Sequence, residues 1–373
     1  MFSADDARHM ARALELARRG RLTTRPNPRV GCVLVKDGAV VGEGYHIKAG
    51  GPHAEIHALA AAGDAARGAT AYVTLEPCSH FGRTPPCSQA LIDAGVGRVI
   101  AAMVDPNPKV AGRGLKMLEA AGIPTAHGLM AQEAEALNPG FIQRMKTGRP
   151  YVRLKLAASL DGRTALANGE SKWITGPEAR ADVQRLRAMS DAVITGADSV
   201  LADNPSMNVR HGELGHWRSR IEASELMQPL RVVVDGRARL APPLKMLESD
   251  GPLMLASVQP YTQPWPSAVT TWLGPDNGAG KLDLAALLSE LGQREINEVL
   301  VESGAALAGA FMAAGLWDEL WLYQAPKLMG TSAQGLVALP AYESMAQVAS
   351  LALRDVQRVG ADLRLILTRQ ENH

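Results

Sequence analysis

One histidine, two cysteines and a glutamate carry the first chemistry this sequence offers. His53-Ala54-Glu55 opens a helix-like segment, Pro77-Cys78 follows an apolar run, and Cys87 comes nine residues after Cys78. An imidazole and two thiolates form a ligand set for tetrahedral Zn2+, and a catalytic site leaves the fourth position to water. Zinc lowers the pKa of that water towards neutrality, which suits attack on an amino-bearing ring carbon. Glu55 lies two residues from His53, so it can face the same cavity without binding the metal and carry a proton to departing ammonia. A closed structural zinc site, or two buried thiols, would not need that acid. His9, His46, His57 and His80 are alternative imidazoles, but none has an acid at the same offset. Cys32, in the apolar run Gly31-Cys32-Val33-Leu34-Val35, reads as a packed core thiol.

These residues need elements to hold them. Ala7, Met10, Ala11 and Leu14 repeat at helical spacing and predict a helix over 5–19 after a Ser3 cap. Strands are expected at 30–35 and 40–45, joined through Lys36-Asp37-Gly38, a hairpin signal. A helix at 53–62, a strand at 71–75, a helix at 87–94, a strand at 98–104 and a helix at 114–121 follow. Turn formers crowd 138–150 and place a boundary near 148, giving domains of 1–148 and 149–373. The second half predicts strands at 151–157, 192–195, 230–234 and 298–302, with helices at 177–189 and 305–314. Residues 211–228 and 259–280 lack periodicity and read as long surface loops. Both halves are α/β, and there is no internal repeat.

Composition narrows the function classes. A chain of 373 residues, 46% hydrophobic and 21% charged, has enough apolar residues for two cores and reads as globular. A formal net charge of +1 gives no field that gathers a polyanion, which argues against nucleic acid as a partner. The start Met-Phe-Ser-Ala-Asp-Asp lacks signal-peptide features and no apolar run approaches a membrane span, so a cytoplasmic protein with no membrane partner is expected. Three cysteines cannot form a disulfide framework for this length.

His-x-Glu followed by Pro-Cys and a second cysteine is the signature of zinc nucleobase deaminases, except that eight residues rather than two separate Cys78 from Cys87. With that insert, Asn27-Pro28-Arg29-Val30-Gly31, Gly42-Glu43-Gly44-Tyr45-His46, Gly51-Pro52-His53-Ala54-Glu55 and Pro77-Cys78-Ser79-His80-Phe81-Gly82-Arg83-Thr84-Pro85-Pro86-Cys87 closely resemble the bifunctional riboflavin-biosynthesis deaminase/reductase family. The resemblance implies a cytidine-deaminase-like N-terminal domain with zinc on His53, Cys78 and Cys87 and Glu55 as proton shuttle. It implies deamination of a 2,5-diamino-6-(phosphoribosylamino)pyrimidinone. In the inserted loop, His80, Arg83 and Thr84 offer a cation and a hydroxyl for a sugar phosphate, while Arg83 is also readable as a solvated charge. Asn27 either hydrogen-bonds the pyrimidine or caps a turn.

Nothing in 149–373 matches the dinucleotide fingerprint or the phosphate-binding loop. Val301-Glu302-Ser303-Gly304-Ala305-Ala306-Leu307-Ala308-Gly309-Ala310 runs from a strand through small residues into a helix, whose free N–H groups can hold a phosphate. Close helix packing explains the same small residues equally well. Residues 154–162, Glu170-Ser171-Lys172-Trp173-Ile174-Thr175 and Val200-Leu201-Ala202-Asp203 resemble the same family's reductase half. That resemblance implies a dihydrofolate-reductase-like fold, NADPH as cofactor, reduction of a ribosyl group to ribityl, and a homo-oligomer. By position it puts nucleotide contacts on Ala157, Trp173, Ser199, Asp203 and Gly304 to Ala310, and substrate contacts on Ser171, Arg187, Met207, Arg210 and Glu302. Arg187 and Arg210 make a guanidinium pair suited to the sugar phosphate, and Glu302 suits ribose hydroxyls. A solvated face shared with Arg180 and Arg185 is the competing account of Arg187. The sequence departs from the family pattern at Ser199, Asn204 and Met207. Two other readings compete with the bifunctional enzyme: a polynucleotide deaminase with an appended nucleotide-binding domain, disfavoured by the charge balance, and a non-catalytic binding protein, disfavoured by Glu55.

Overall fold

The computed structural model describes residues 2–79, 86–108 and 110–370. The chain forms two compact units, Met1–Gly148 and Arg149–His373.

In the first unit, α1 (Ala4–Arg19) starts at a capping box in which the Asp6 N–H donates to Ser3 Oγ and the Ser3 N–H donates to Asp6 Oδ2. Its buried residues Met10, Ala13, Leu14 and Ala17 form one helical face. β1 (Gly31–Lys36) and β2 (Ala39–Tyr45) make the expected hairpin. Asp37 and Gly38 both take positive φ, 50° and 77°, which matches the twist of the flanking strands. Then come α2 (Ala54–Ala62), β3 (Thr70–Val73), α3 (Cys87–Asp93), β4 (Arg98–Ala101), α4 (Arg113–Ala120), β5 (Thr125–His127), α5 (Ala131–Leu137) and α6 (Pro139–Thr147).

The sheet order is β2-β1-β3-β4-β5, antiparallel from β2 to β3 and parallel beyond. Alternation along the strands divides the core into two layers. Val33, Val35, Tyr72 and Ile100 pack with residues of α1, α5 and α6, while Cys32, Leu34, Ala71, Val73 and Val99 pack with α2, α3 and α4. The turn-rich stretch before residue 148 is mostly helix α6, a correction to the sequence reading: Pro139 occupies the first turn and Gly148 the left-handed C-cap.

The second unit contains β6 (Tyr151–Ser159), β7 (Arg163–Ala165), α7 (Pro177–Met189), β8 (Ala192–Gly196), α8 (Ala197–Asp203), β9 (Leu230–Val234), β10 (Leu253–Ser257), β11 (Val269–Leu273), α9 (Leu284–Gln293), β12 (Glu298–Glu302), α10 (Ala305–Ala313), β13 (Glu319–Ala325), β14 (Gln334–Gly335), β15 (Leu351–Val359) and β16 (Asp362–Arg369). Its nine-stranded sheet has the order β11-β10-β9-β8-β12-β6-β13-β16-β15, parallel from β11 to β13 with an antiparallel pair at one edge. The loop expected at 259–280 contains β11, whose Val-Thr-Thr-Trp-Leu run pairs with β10. The 211–228 stretch holds three short 3-10 turns.

Close backbone approach constrains the first unit. A Cβ on Gly31 would lie 2.0 Å from the Ala13 carbonyl oxygen of α1. Gly31→Ala is expected to destabilise this unit by about 1–3 kcal/mol or more, read as a lower midpoint in its denaturant unfolding transition.

Candidate active sites

His53, Cys78 and Cys87 come from three different segments. His53 is the N-cap residue of α2 and its side chain makes no capping bond, so the ring is free to turn inward. Cys78 follows the end of β3, and Cys87 opens α3. His53 Nδ1 lies 3.6 Å from Cys78 Sγ and 3.3 Å from Cys87 Sγ, and the three ligand atoms all lie within 4.8 Å of one another. Tetrahedral zinc with ordinary bond lengths needs ligand atoms about 3.5–3.8 Å apart, so the cluster has the right size. The Cys87 backbone N–H donates to Cys78 Sγ at 3.3 Å. Hydrogen bonds from Cys87 and His53 hold the Cys78 thiol well below its ordinary pKa. A dication in this place favours both thiolates.

Glu55 sits in the first turn of α2 and is 3% exposed. Burial, then the nearby Cys78 charge, pushes its carboxyl up to about 7. His46 is buried beside the cluster, its ring edge-on to His53 at 5.3 Å. His46 Nδ1 is 3.0 Å from the Pro52 carbonyl oxygen and His46 Nε2 is 3.0 Å from Asn27 Nδ2. The carbonyl can only accept, so Nδ1 carries the proton and Nε2 accepts from the Asn27 amide. Burial lowers the His46 pKa, which agrees with a neutral ring. Asn27 therefore belongs beside the metal cluster, with its amide orientation fixed by His46. Cys32 lies fully buried in β1, outside the cluster. His80, Arg83 and Thr84 lie outside the described residues.

In the second unit, the carboxyl ends of β6, β8 and β12 gather the other site residues. Ala157 is near the end of β6, Ser199 and Asp203 are on α8 directly after β8, and Gly304 is the N-cap of α10 after β12. Such ends are where parallel α/β sheets bind ligands. No side chain caps α10, and a Cβ on the exposed Gly304 would meet Ser199 Oγ at 3.9 Å. Ala305, Ala306 and Leu307 form the first turn of α10, and Ala310 is exposed further along it. Ala308 is part of the core, and a Cβ on Gly309 would lie 2.0 Å from the Ala338 carbonyl oxygen. Packing thus accounts for the small residues at 308 and 309. Trp173 is 63% exposed, under the Arg180 guanidinium at 4.5 Å, and Asp203 pairs with Lys172 at 2.8 Å.

Among the residues expected on the substrate side, Arg187 and Glu302 meet as a mostly buried bidentate pair, with N–O distances of 2.5 and 3.0 Å. Arg187 also donates to the Asn208 carbonyl oxygen at 3.1 Å. A solvated Arg187 is excluded, and so is a free Arg187–Arg210 pair in this structure: Arg210 is bound bidentately by Glu213 at 2.5 and 2.8 Å. Met207 is buried with φ of 56° and its sulfur faces Arg187 at 3.8 Å; Ser171 is half-buried. Asn204 takes the left-handed C-cap of α8 and accepts from the Lys245 N–H, a conformation Asn tolerates well. The sequence reading gave Lys155 no role. The β6–β12 register sets it opposite Glu302, and burial holds its ammonium below the usual lysine range. A lysine alternating with Leu154 and Leu156 in a buried strand was the available signal.

Comparison with known proteins matches two family models, the cytidine and deoxycytidylate deaminase zinc-binding region over residues 3–103 and the RibD C-terminal domain over residues 150–365. The chain is 54% identical to the riboflavin biosynthesis protein RibD of Escherichia coli, covering 97% of this chain and 99% of that one. It is 50% identical to that of Haemophilus influenzae, covering 98% of each. The chain belongs to the bifunctional riboflavin-biosynthesis deaminase/reductase family. Among solved structures, Acinetobacter baumannii RibD superposes with a TM-score of 0.90 at 47% identity over 98% of this chain and 99% of that one. A Thermotoga maritima diaminohydroxyphosphoribosylaminopyrimidine deaminase/5-amino-6-(5-phosphoribosylamino)uracil reductase superposes at 0.86 with 31% identity, over 98% and 99%.

Membership makes this a two-activity enzyme of riboflavin biosynthesis, with a cytidine-deaminase-like domain and a dihydrofolate-reductase-like domain. The polynucleotide-deaminase alternative is not favoured. Removing one member of the buried Arg187–Glu302 pair leaves the other charge without its partner. Arg187→Leu is expected to destabilise the reductase domain by about 3 kcal/mol, the lower end of the usual cost because Lys155 still faces Glu302. Arg187→Leu/Glu302→Leu should recover part of that loss in denaturant titration, since Lys155 then lacks the carboxylate opposite it.

Proposed function

We propose that the first domain hydrolytically deaminates 2,5-diamino-6-(5-phosphoribosylamino)pyrimidin-4(3H)-one, and that the second reduces the ribosyl group of 5-amino-6-(5-phosphoribosylamino)uracil to ribityl. The observation that carries the first half is the convergence of His53, Cys78 and Cys87 within 4.8 Å beside the buried Glu55. One imidazole and two thiolates suit Zn2+ and leave one tetrahedral position, so these three residues would hold the ion. When bound, zinc acidifies water and supplies the nucleophile.

Glu55 does the proton work. Its carboxyl is buried beside the ligand cluster, where it can take a proton from the attacking water and return it to departing ammonia. Asn27, whose amide hydrogens are turned to His46, presents its carbonyl oxygen as an acceptor for a pyrimidine N–H. His80, Arg83 and Thr84 are assigned to the sugar phosphate on their residue types.

In the reductase domain the uncapped start of α10 at Gly304 to Leu307, with Ser199 beside it, fits a dinucleotide phosphate. We assign NADPH there, with Ala157, Trp173 and Asp203 along its path, while Ala308 and Gly309 pack against the core behind that turn and Ala310 lies beyond it. The nucleotide supplies hydride when bound. Glu302 accepts from ribose hydroxyls, Arg187 fixes the Glu302 carboxylate, and Ser171, Met207 and Arg210 complete the substrate side. The cytoplasmic location and homo-oligomeric assembly expected from the family belong to the same proposal. Among the described residues, no helix is long and apolar enough to cross a membrane.

A coupled assay on the diaminopyrimidinone phosphate tests both halves at once. Glu55→Gln should lower ammonia release by at least about a hundredfold while zinc content and reduction of supplied deaminated product stay near wild type. Normal ammonia release from that variant would remove Glu55 from the reaction. Titration with NADPH should quench fluorescence in the wild type and lose most of that change in Trp173→Phe.

A further inference from the structure

Glu76 lies immediately before the Pro77-Cys78 pair, and its side chain is 3% exposed. Its carboxylate accepts four backbone hydrogen bonds. Oε2 takes the N–H groups of Asp105 at 3.0 Å and Gly112 at 2.9 Å, and Oε1 takes those of Gly114 at 2.8 Å and Leu115 at 3.3 Å. No cationic side chain pairs with it among the described residues. Gly112, Gly114 and Leu115 are the N-cap and first turn of α4, and Gly112 has no side chain with which to cap the helix. The anion that satisfies this helix start therefore comes from a residue 36 positions earlier in the chain.

The same contact fixes the backbone that carries Cys78. Gly114 packs so tightly under Pro77 that a Cβ on it would lie 1.9 Å from the Pro77 carbonyl oxygen. At the same carbonyl, Ser88 Oγ donates to the oxygens of Pro77 at 3.2 Å and Cys78 at 3.1 Å, and the Ser88 N–H donates to the Cys78 carbonyl oxygen at 3.2 Å. Ser88 adjoins Cys87, whose own N–H reaches Cys78 Sγ. Residues at the starts of α3 and α4 thus both bear on the Pro77-Cys78 peptide.

We infer that Glu76 is a positioning residue for the metal centre, acting by locking the start of α4 against Pro77 and so setting the place of Cys78 relative to Cys87 and His53. The inference rests on the proposed zinc site. Glu76→Gln keeps the size and one accepting oxygen but turns an amino group towards one pair of the N–H donors, so half of the cradle is lost. Changes to groups that support metal ligands typically cost 10–100-fold in metal affinity.

The test uses the full chain loaded with one zinc per molecule. Zinc release into excess chromogenic chelator is timed well below the thermal transition, with melting temperature recorded in parallel. Glu76→Gln should release zinc at least about tenfold faster than wild type, with ammonia-release kcat falling in step with zinc content and KM unchanged. If Glu76→Gln does not fold, Glu76→Asp, too short to reach both pairs of donors, takes its place, and faster release is again expected. Release within twofold of wild type from the folded variant, whatever its melting temperature, makes Glu76 a fold anchor only and overturns the inference. A wild-type chain that takes up no zinc refutes the metal site instead.

Discussion

The deaminase centre depends on how closely α2 can lie on β2. A Cβ at Gly42 would stand 2.3 Å from the Ala58 carbonyl oxygen, and one at Gly44 would stand 2.4 Å from that of Ala54. No other residue type fits this approach without moving the helix. Because the helix starts there, His53 and Glu55 arrive together at the end of β3, where the Cys78 segment begins. His53 offers its ring nitrogen from the cap position, and Glu55, two residues on, is carried into the buried space beside it. The raised pKa of Glu55 follows first from that burial and then from the nearby Cys78 charge.

The reductase domain solves a different problem. Several charged groups cluster around β6 and β12: Lys155, Arg187 and Glu302 mostly withdrawn from solvent, Arg210 and Glu213 more exposed. A buried carboxylate here is tolerable because Arg187 meets it in a fork geometry and Lys155 stands opposite in the sheet register. Burial raises a carboxyl's pKa, yet these cations hold Glu302 ionised. A fixed anion among hydrogen-bond donors is well suited to orient the hydroxyls of a sugar.

Much of this was legible without coordinates. The His-x-Glu and Cys spacing, the Asp-Gly hairpin, the helix at Pro177–Met189 and the strands at 230–234 and 298–302 each depend on residues near in sequence. The misses have physical reasons. Pro139 and Gly148 looked like turn formers although each sits where a helix tolerates it, at the first turn and at the C-cap. β11 is an edge strand amid Pro and Gly, so its five residues carried little periodic signal. Arg187 lies on a helix with Arg180 and Arg185, and only packing distinguishes the one that turns inward.

By itself the sequence determined which atoms can bind a metal, which acid accompanies them, and that two α/β domains follow one another, because local spacing and periodicity encode those facts. Tertiary structure decided which groups share a charge. Arg187 closes on Glu302 across 115 positions, Asn27 turns its amide to His46 across 19, and Glu76 caps a helix that begins 37 residues later. Such contacts depend on burial and on three-dimensional proximity, and no local pattern in the chain records either one.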